Sequence, residues 1–335
     1  MPALLLTPSF SRTYHRDVRA SEKVRGVGVT LFLCLLCLWA GGSLRAQESE
    51  DSLADRVTAD LSAGRLDAAL DKAQIAVRQY PKSSHLQQLL GAVLFKKGRN
   101  EEARAAFFRA IAFDPSESQN YFDLALVDLA DKRYPDASKA LETYLHLDPA
   151  NAQAHLLLGR AYHNQNQTAP AIEQFKKALT LNPALPLAHY HLGFAYQSMG
   201  NLPSALEQFS LEIQVNPDFP TAHWLAGNIE LEHGKLPEAE KQFQEAIRLN
   251  PQAYQPHYGL GRIYAELKQS PDAQAEFTTA LKSDPDNVEV HYALARLYQQ
   301  IGNKDAAARE FGVCAKLHSH QEKQLSGIAG ASLQP

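Results

Sequence analysis

Histidine is the residue type with the widest chemical range in this 335-residue sequence. The stretch LPLAHYHLGFAYQ contains His189 and His191, and the downstream segments TAHWLAG, QPHYGLG and EVHYALA place further histidines in a similar context. Histidine rings bind metal ions and exchange protons near neutral pH. The histidines could therefore form a metal site, take part in catalysis, or only pack. The spacing between them, and the elements that carry them, must decide between these readings.

The spacing is set by a row of prolines that recur every 34 residues: Pro81, Pro115, Pro149, Pro183, Pro217, Pro251 and Pro285. The same interval relates other residue types. A small residue, usually glycine, lies 24 residues before most of these prolines, and a phenylalanine usually lies 8 residues before them. A fixed period of this length indicates a repeat architecture, in which each unit buries its apolar face against the next unit.

Each unit has the pattern of two helices. The first carries apolar residues at helical spacing, such as Leu192 and Ala195, and ends near a glycine such as Gly200. The second often has a proline in its first turn, as at Pro203, where the missing N–H costs nothing. It ends before the next 34-spaced proline, which cannot continue a helix. The sequence therefore predicts an all-α array of helix pairs.

The pattern L-G-x-x-Y … A-x-x-x-F-x-x-A … P over 34 residues resembles the tetratricopeptide repeat family. This resemblance implies a right-handed α-solenoid, a superhelix of about eight helix-turn-helix units over residues 47–321. Residues 322–335 would form a tail without a clear partner. Unit one is expected to be a polar cap or badly formed, because Arg56 and Asp60 replace apolar residues. The units are expected to start near residues 50, 84, 118, 152, 186, 220, 254 and 288.

Counted from the start of each unit, one histidine recurs at position 4: His155, His189, His223, His257 and His291. Packed helices lie roughly 8–10 Å apart, whereas a zinc–nitrogen bond is about 2 Å long. A second helix also separates equivalent positions of successive units. The row therefore favours packing over metal binding. The sequence has no glycine-rich phosphate loop and no H-E-x-x-H or G-x-S-x-G motif, so we expect no catalytic residues, no metal and no cofactor.

The first 46 residues differ from the repeats. A basic segment from Arg12 to Arg25 precedes the apolar run VGVTLFLCLLCLWAGG, which is typical of a secretory signal peptide cleaved after Ala46. A retained membrane anchor is the alternative, in which residues 26–44 would make the only membrane contact. We therefore expect an exported protein, periplasmic or secreted, or one anchored by this segment. The net charge of −4 argues against a nucleic-acid partner.

In the tetratricopeptide repeat family, the first helix of each pair lines a concave face and holds partner peptides, often through positions 5, 9 and 12. Tyrosine, tryptophan and arginine are enriched at interface hot spots, and arginine pairs well with carboxylates. The resemblance thus implies a protein or peptide partner of aromatic or acidic character. The candidate partner-binding residues are Arg160, His163, Tyr190, Phe194, Trp224, Asn228, Tyr258, Arg262, Tyr292 and Arg296.

These expectations together predict a non-enzymatic exported scaffold that binds a partner in its concave groove and assists assembly of a larger complex. The alternative is an accessory repeat subunit of an enzyme system, such as a glycosyltransferase, with catalysis on another chain. Identification of what the repeat region binds would separate the two.

Overall fold

The helix pairs follow the 34-residue period along the chain. The computed structural model describes residues 48–331, and side chains up to residue 320, so the predicted signal peptide or anchor lies outside the described residues. The first four pairs are α1 (Glu50–Ser62) and α2 (Leu66–Gln79), α3 (Ser84–Lys96) and α4 (Asn100–Phe113), α5 (Ser118–Ala130) and α6 (Tyr134–Leu147), and α7 (Ala152–Asn164) and α8 (Thr168–Leu181).

The second half of the array repeats the same arrangement. Its pairs are α9 (Ala188–Ser198) and α10 (Leu202–Val215), α11 (Pro220–Glu232) and α12 (Leu236–Leu249), α13 (Tyr254–Glu266) and α14 (Ser270–Ser283), and α15 (Val288–Gln300) and α16 (Lys304–Ala331). Residues 48–331 contain α-helices and no strand, and each helix packs on the helices before and after it. The prediction of an all-α solenoid is confirmed. Within residues 48–331, no helix combines the length and the apolar character needed to cross a membrane.

The two helices of a unit meet at one small residue and one aromatic ring. A Cβ atom added to Gly193 of α9 would come within 2.8 Å of the Phe209 ring of α10, which is too close for any real contact. The same conflict exists between Gly159 and Phe175 at 2.5 Å. Glycine at position 8 therefore leaves room for the phenylalanine ring at position 24 in these units. Unit eight combines Ala295 with Phe311 instead, and there the Phe311 side chain is only partly buried.

Two units solve the same packing problem with different residues. Unit three combines Ala125 with Leu141, and unit one combines Val57 with Ala73; all four side chains are buried at 1% exposure or less. A larger residue on the first helix is matched by a smaller one on the second. The pair therefore conserves volume rather than residue type, as close packing of an interior demands.

The turn inside each unit requires a left-handed backbone. In most units this residue is a glycine, such as Gly200 with φ of 74°. Other units place Lys132, Asn166 or Lys268 there with φ of 59° to 60°. Glycine adopts this conformation without steric cost, which explains its recurrence at the end of the first helix.

Unit five begins differently from the others. It was expected to start near residue 186, but α9 begins at Ala188, and the preceding Leu187 has φ of 66°, an unusual conformation for a bulky residue. The fully buried carboxylate of Glu212 in α10 accepts hydrogen bonds from the backbone N–H groups of Leu187 (3.0 Å) and Tyr190 (3.2 Å). Glu212 thus supplies the helix cap that the local sequence lacks, and a negative charge at a helix N-terminus is favourable.

Unit one was expected to be a polar cap or badly formed, and it is not badly formed. Its two helices are complete, and Asp60 is buried although an apolar residue was expected there. Arg65 lies 2.6 Å from the Asp60 carboxylate, and Lys72 also forms a salt bridge with it. A buried charge is tolerated when it is paired and hydrogen-bonded, so these two cations allow the unit to close.

The C-terminal segment also differs from expectation. The helix α16 continues to Ala331, past residue 321, where the solenoid was expected to end. Residues 322–331 therefore extend the last helix rather than forming a separate tail without regular structure.

We predict that Gly193→Ala lowers the free energy of unfolding by about 1–3 kcal/mol, because the new methyl group meets the Phe209 ring. The double variant Gly193→Ala/Phe209→Leu reproduces the pair found in unit three. In a double-mutant cycle measured by denaturant unfolding, we expect it to be more stable than the sum of the single variants by about 1 kcal/mol or more. Simple additivity would contradict the volume-matching interpretation.

Candidate functional site

The first helices of the pairs form one side of the array. Each pair packs on the next. First helices of neighbouring units also contact each other directly, for example α11 with α13 and α13 with α15. Second helices of neighbouring units make at most marginal contacts in the described part of the chain. The array is therefore tighter along its first helices. We call the surface formed by positions 2, 5, 9, 12 and 13 of these helices the inner surface.

The histidine row does not belong to the inner surface. Each ring bonds to the residue 19 positions later, on the second helix of its own unit: Nδ1 of His155, His189 and His223 lies 2.7–2.8 Å from Oε1 of Gln174, Gln208 and Gln242. In most units Nε2 also faces the carbonyl of the preceding 34-spaced proline, as between His291 and Pro285 at 2.9 Å. The rings therefore tie the two helices and the inter-unit turn together.

The last two units replace the glutamine by glutamate. Nδ1 lies 2.6 Å from a carboxylate oxygen in both His257–Glu276 and His291–Glu310. A carboxylate accepts hydrogen bonds, so the ring must donate from Nδ1, whereas a glutamine amide can turn to fit either tautomer. Both versions satisfy a ring that is largely buried, which agrees with packing as the role of the row.

We predict that Glu276→Gln changes the free energy of unfolding by less than about 1 kcal/mol, because three other units use glutamine at this place. Glu276→Leu should cost about 1–3 kcal/mol, because it leaves a buried ring nitrogen of His257 without a partner. Denaturant unfolding of both variants tests this. Equal stability of the two variants would show that the hydrogen bond contributes nothing.

The aromatic row at position 5 is divided between surface and core. The rings of Tyr190, Tyr258 and Tyr292 each lean on the position-24 phenylalanine of their unit, with centroid distances of 6.4, 6.0 and 5.8 Å. Tyr190 and Tyr258 are half-buried, whereas Tyr292 is 53% exposed. Part of each ring thus supports the helix pair, and the part that remains accessible rises towards the C-terminal unit.

Trp224 holds two units together. It is half-buried and packs against the core shared by units five and six and against the core shared by units six and seven. Its remaining surface lines a depression of about 190 Å³ with Pro220, Asn250 and Pro256. Trp224 is therefore a packing residue as well as a surface residue, and its truncation is not a clean test of binding.

The arginines at position 9 lack anionic partners. Within the described residues, no carboxylate lies within 4.0 Å of the side-chain nitrogens of Arg160, Arg262 or Arg296. Several arginines elsewhere in the array are paired, such as Arg104 with Asp128 and Arg248 with Glu245, both at 2.6 Å. These three guanidinium groups therefore form no ion pair, although the inner surface also carries Glu232, Glu266 and Glu289.

Two of these arginines border a groove between the last two units. The groove has a volume of about 250 Å³, an apolar floor that includes Leu231 and Phe277, and a rim with Arg262, Arg296 and Glu266. The guanidinium of Arg262 lies 5.8 Å from the centre of the Tyr258 ring, within the range of a cation–π contact. Asn228, at position 9 of unit six, is half-buried on the same row.

Units four and five gather the remaining candidates. His163 and Phe194 meet edge to face at 5.4 Å, and Phe194 stacks with Tyr190 at 6.3 Å. Arg160 stands on the same face of α7 as His163, three residues away. The structure thus brings together four of the predicted residues in one cluster, and Phe194 is 42% exposed there.

Sequence reasoning missed one member of this cluster, His191. Its ring lies 4.9 Å from Tyr190 and stacks on the core residue Phe175 at 5.8 Å. Burial, followed by the charges of Arg160 and His163, lowers the pKa of His191 to about 3. The available signal was its position 6, where the flanking units have leucine.

Acid should destabilise the fold through His191. Its pKa in the folded state is about 3, below the value of roughly 6.5 in an unfolded chain, so the unfolded state takes up a proton first as the pH falls. Stability is full above about pH 6.5 and falls as the pH approaches 3. We predict that His191→Leu removes about 2 kcal/mol of the stability loss between pH 7.5 and pH 5, measured by denaturant unfolding. The same loss in both proteins would mean that the folded state accepts the proton.

The helix pairs define an α-helical repeat protein. Three models described as TPR repeat or tetratricopeptide repeat match the chain. They cover residues 159–200 and 227–268, residues 55–118 and 258–312, and residues 128–174. The chain belongs to the tetratricopeptide repeat family.

Several solved structures share this architecture. MamA 41-end from Desulfovibrio magneticus RS-1 is 25% identical, with 52% of this chain and 99% of that chain covered and a TM-score of 0.49. YrrB, described as a TPR protein with an unusual peptide-binding site, is 21% identical, with 53% and 92% covered and a TM-score of 0.47. A tetratricopeptide repeat protein from Parabacteroides merdae is 17% identical, with 75% and 98% covered and a TM-score of 0.54. The comparison with curated proteins gives no match.

Proposed function

We propose that this protein is a non-catalytic, exported scaffold that holds a segment of a protein partner along its inner surface and so assists assembly of a larger complex. The observation that carries the proposal is the set of unpaired arginines beside accessible aromatic rings on this surface. Arginine and tyrosine are residue types that dominate binding energy at protein interfaces. Their side chains line a groove here instead of neutralising neighbouring carboxylates.

The charge of the surface favours a partner segment with carboxylates. Arg262 and Arg296 stand one unit apart on the rim of the same groove, so an extended chain that runs across the units would meet them in turn. The apolar floor between them suits an aromatic or aliphatic side chain. Export rests on the N-terminal sequence alone, and N-terminal sequencing of the mature protein tests it.

Site-specific photo-crosslinking in the native host tests the binding surface. A photoreactive amino acid at Tyr292, on the inner surface, should trap the partner, whereas one at Phe108 of α4 should not. Both residues are about half exposed, at 53% and 47%, so accessibility is matched.

The arginine pair gives a second test. The double variant Arg262→Gln/Arg296→Gln should weaken capture at least tenfold, which corresponds to about 1.4 kcal/mol. The control Arg78→Gln/Arg309→Gln alters two exposed second-helix arginines and should leave capture unchanged. Equal loss of capture in both double variants would show a general effect of charge and no binding surface. In the crosslinking experiment, crosslinks from Phe108 alone would place the partner on the second helices.

A further inference from the structure

Arg160 differs from the other inner-surface arginines because it stands in the middle of the array and its guanidinium is desolvated. It is half-buried in unit four of eight, whereas Arg296 is exposed. Burial removes water from the guanidinium group, and this desolvation lowers the pKa of Arg160 below its ordinary value. A desolvated guanidinium without a counter-charge is unfavourable, and a bound anion would relieve the cost.

Two buried polar atoms on the first helices of units four and five also lack partners. Nδ1 of His163 and Oε1 of Gln197 make no hydrogen bond within the described part of the chain. Both residues occupy position 12, in adjacent units. A buried unpaired polar atom is costly and is uncommon in native proteins. Nδ1 of His163 can donate a hydrogen bond to a carboxylate when the ring is protonated. Oε1 of Gln197 can accept a hydrogen bond from a backbone N–H.

The charged groups around the cluster leave the positive charge uncompensated. The electrostatic neighbours of Arg160 are the hydroxyls of Tyr134 at the start of α6 and Tyr190 of α9. Carboxylates on the packed helices already have other hydrogen-bond partners. Glu142 of α6 accepts a hydrogen bond from the Tyr162 hydroxyl at 2.8 Å, and Glu212 of α10 caps α9. Burial also lowers the pKa of His163.

We propose that Arg160 and His163 form a carboxylate subsite for an aspartate or glutamate side chain of the extended partner segment, while Oε1 of Gln197 accepts a hydrogen bond from the backbone of that segment and Phe194 and Tyr190 pack beside it. The inference rests on the proposed function. An acidic side chain fits better than a chain terminus, because the inner surface continues beyond Arg160 in both directions. Unit three carries the apolar Leu126 and Leu129 at positions 9 and 12, and units seven and eight carry the second groove.

Binding of a carboxylate at the subsite is coupled to protonation of a histidine ring. A carboxylate held beside His163 favours the protonated form of that ring and so raises its pKa, against the effect of burial. Binding therefore draws a proton from solution and becomes tighter as the pH falls from 8 to 6. An acidic segment would be held more firmly in a mildly acidic compartment.

The probes are three synthetic tripeptides added to the purified full-length chain: acetyl-Phe-Glu-Phe-amide, acetyl-Phe-Gln-Phe-amide and acetyl-Phe-Gln-Phe with a free carboxyl terminus. Affinities come from chemical-shift titrations at pH 6 and pH 8. The variants are Arg160→Leu and His163→Leu, because leucine occupies the equivalent positions in unit three, and Arg296→Gln serves as the control.

At pH 6 the glutamate peptide should bind at least fivefold more tightly than its glutamine counterpart, and the ratio should fall at pH 8. Arg160→Leu should bring the ratio to about one and leave the affinity of the glutamine peptide within twofold. His163→Leu should remove the pH dependence. Arg296→Gln should preserve the ratio. Chemical-shift changes of the His163 and His191 resonances during the same titration would place the peptide at the subsite.

Three results would overturn the inference. Equal affinity for the blocked glutamate and glutamine peptides would remove the subsite but leave the proposed function standing. Arg160-dependent preference for the free terminus would make the occupant a chain end rather than an acidic side chain. If none of the peptides shifts any inner-surface resonance at millimolar concentration, the proposed peptide-binding function fails together with the subsite.

Discussion

The contact between position 8 of the first helix and position 24 of the second is the constraint on which the array depends. Every unit must bring two helices to the same separation, or neighbouring units would not stack in register. Glycine with phenylalanine, alanine with leucine and valine with alanine all satisfy this condition, because each pair fills a similar volume. Units one and three therefore combine a larger residue on the first helix with a smaller one on the second, whereas unit eight keeps Phe311 opposite Ala295 with the ring only partly buried.

A fixed core leaves the inner surface free to vary. Positions 9 and 12 are not part of the volume-matched pair, and they change from Leu126 and Leu129 in unit three to Arg160 and His163 in unit four. The repeat architecture thus separates stability from recognition. The second helices and position 4 carry the ties between elements, such as the histidine–glutamine bonds, while the inner surface carries side chains whose hydrogen-bonding capacity is incompletely used.

The irregular positions are explained by compensation from outside their own helix. Asp60 is stabilised by two cations, and the αL residue Leu187 is supported by the carboxylate of Glu212 one helix away. Local sequence rules fail at both places, since they count only neighbours along the chain. Tertiary contacts satisfy the groups that the local sequence leaves unpaired, which is why a unit expected to be poorly formed is complete.

The sequence by itself determined the period, the helix pairs and the ten candidate residues, because glycine, proline and apolar residues act through local geometry that repeats in register. It also indicated that the histidine row packs, although not that glutamine or glutamate lies opposite each ring. Only the tertiary structure decided which candidates share a site. The burial of Trp224, the proximity of His191 to Arg160 and the absence of a carboxylate partner for Arg160 in the described residues arise between units. Distances across the stack depend on how side chains from separate helices fill a common volume, and periodicity along the chain carries no information about that.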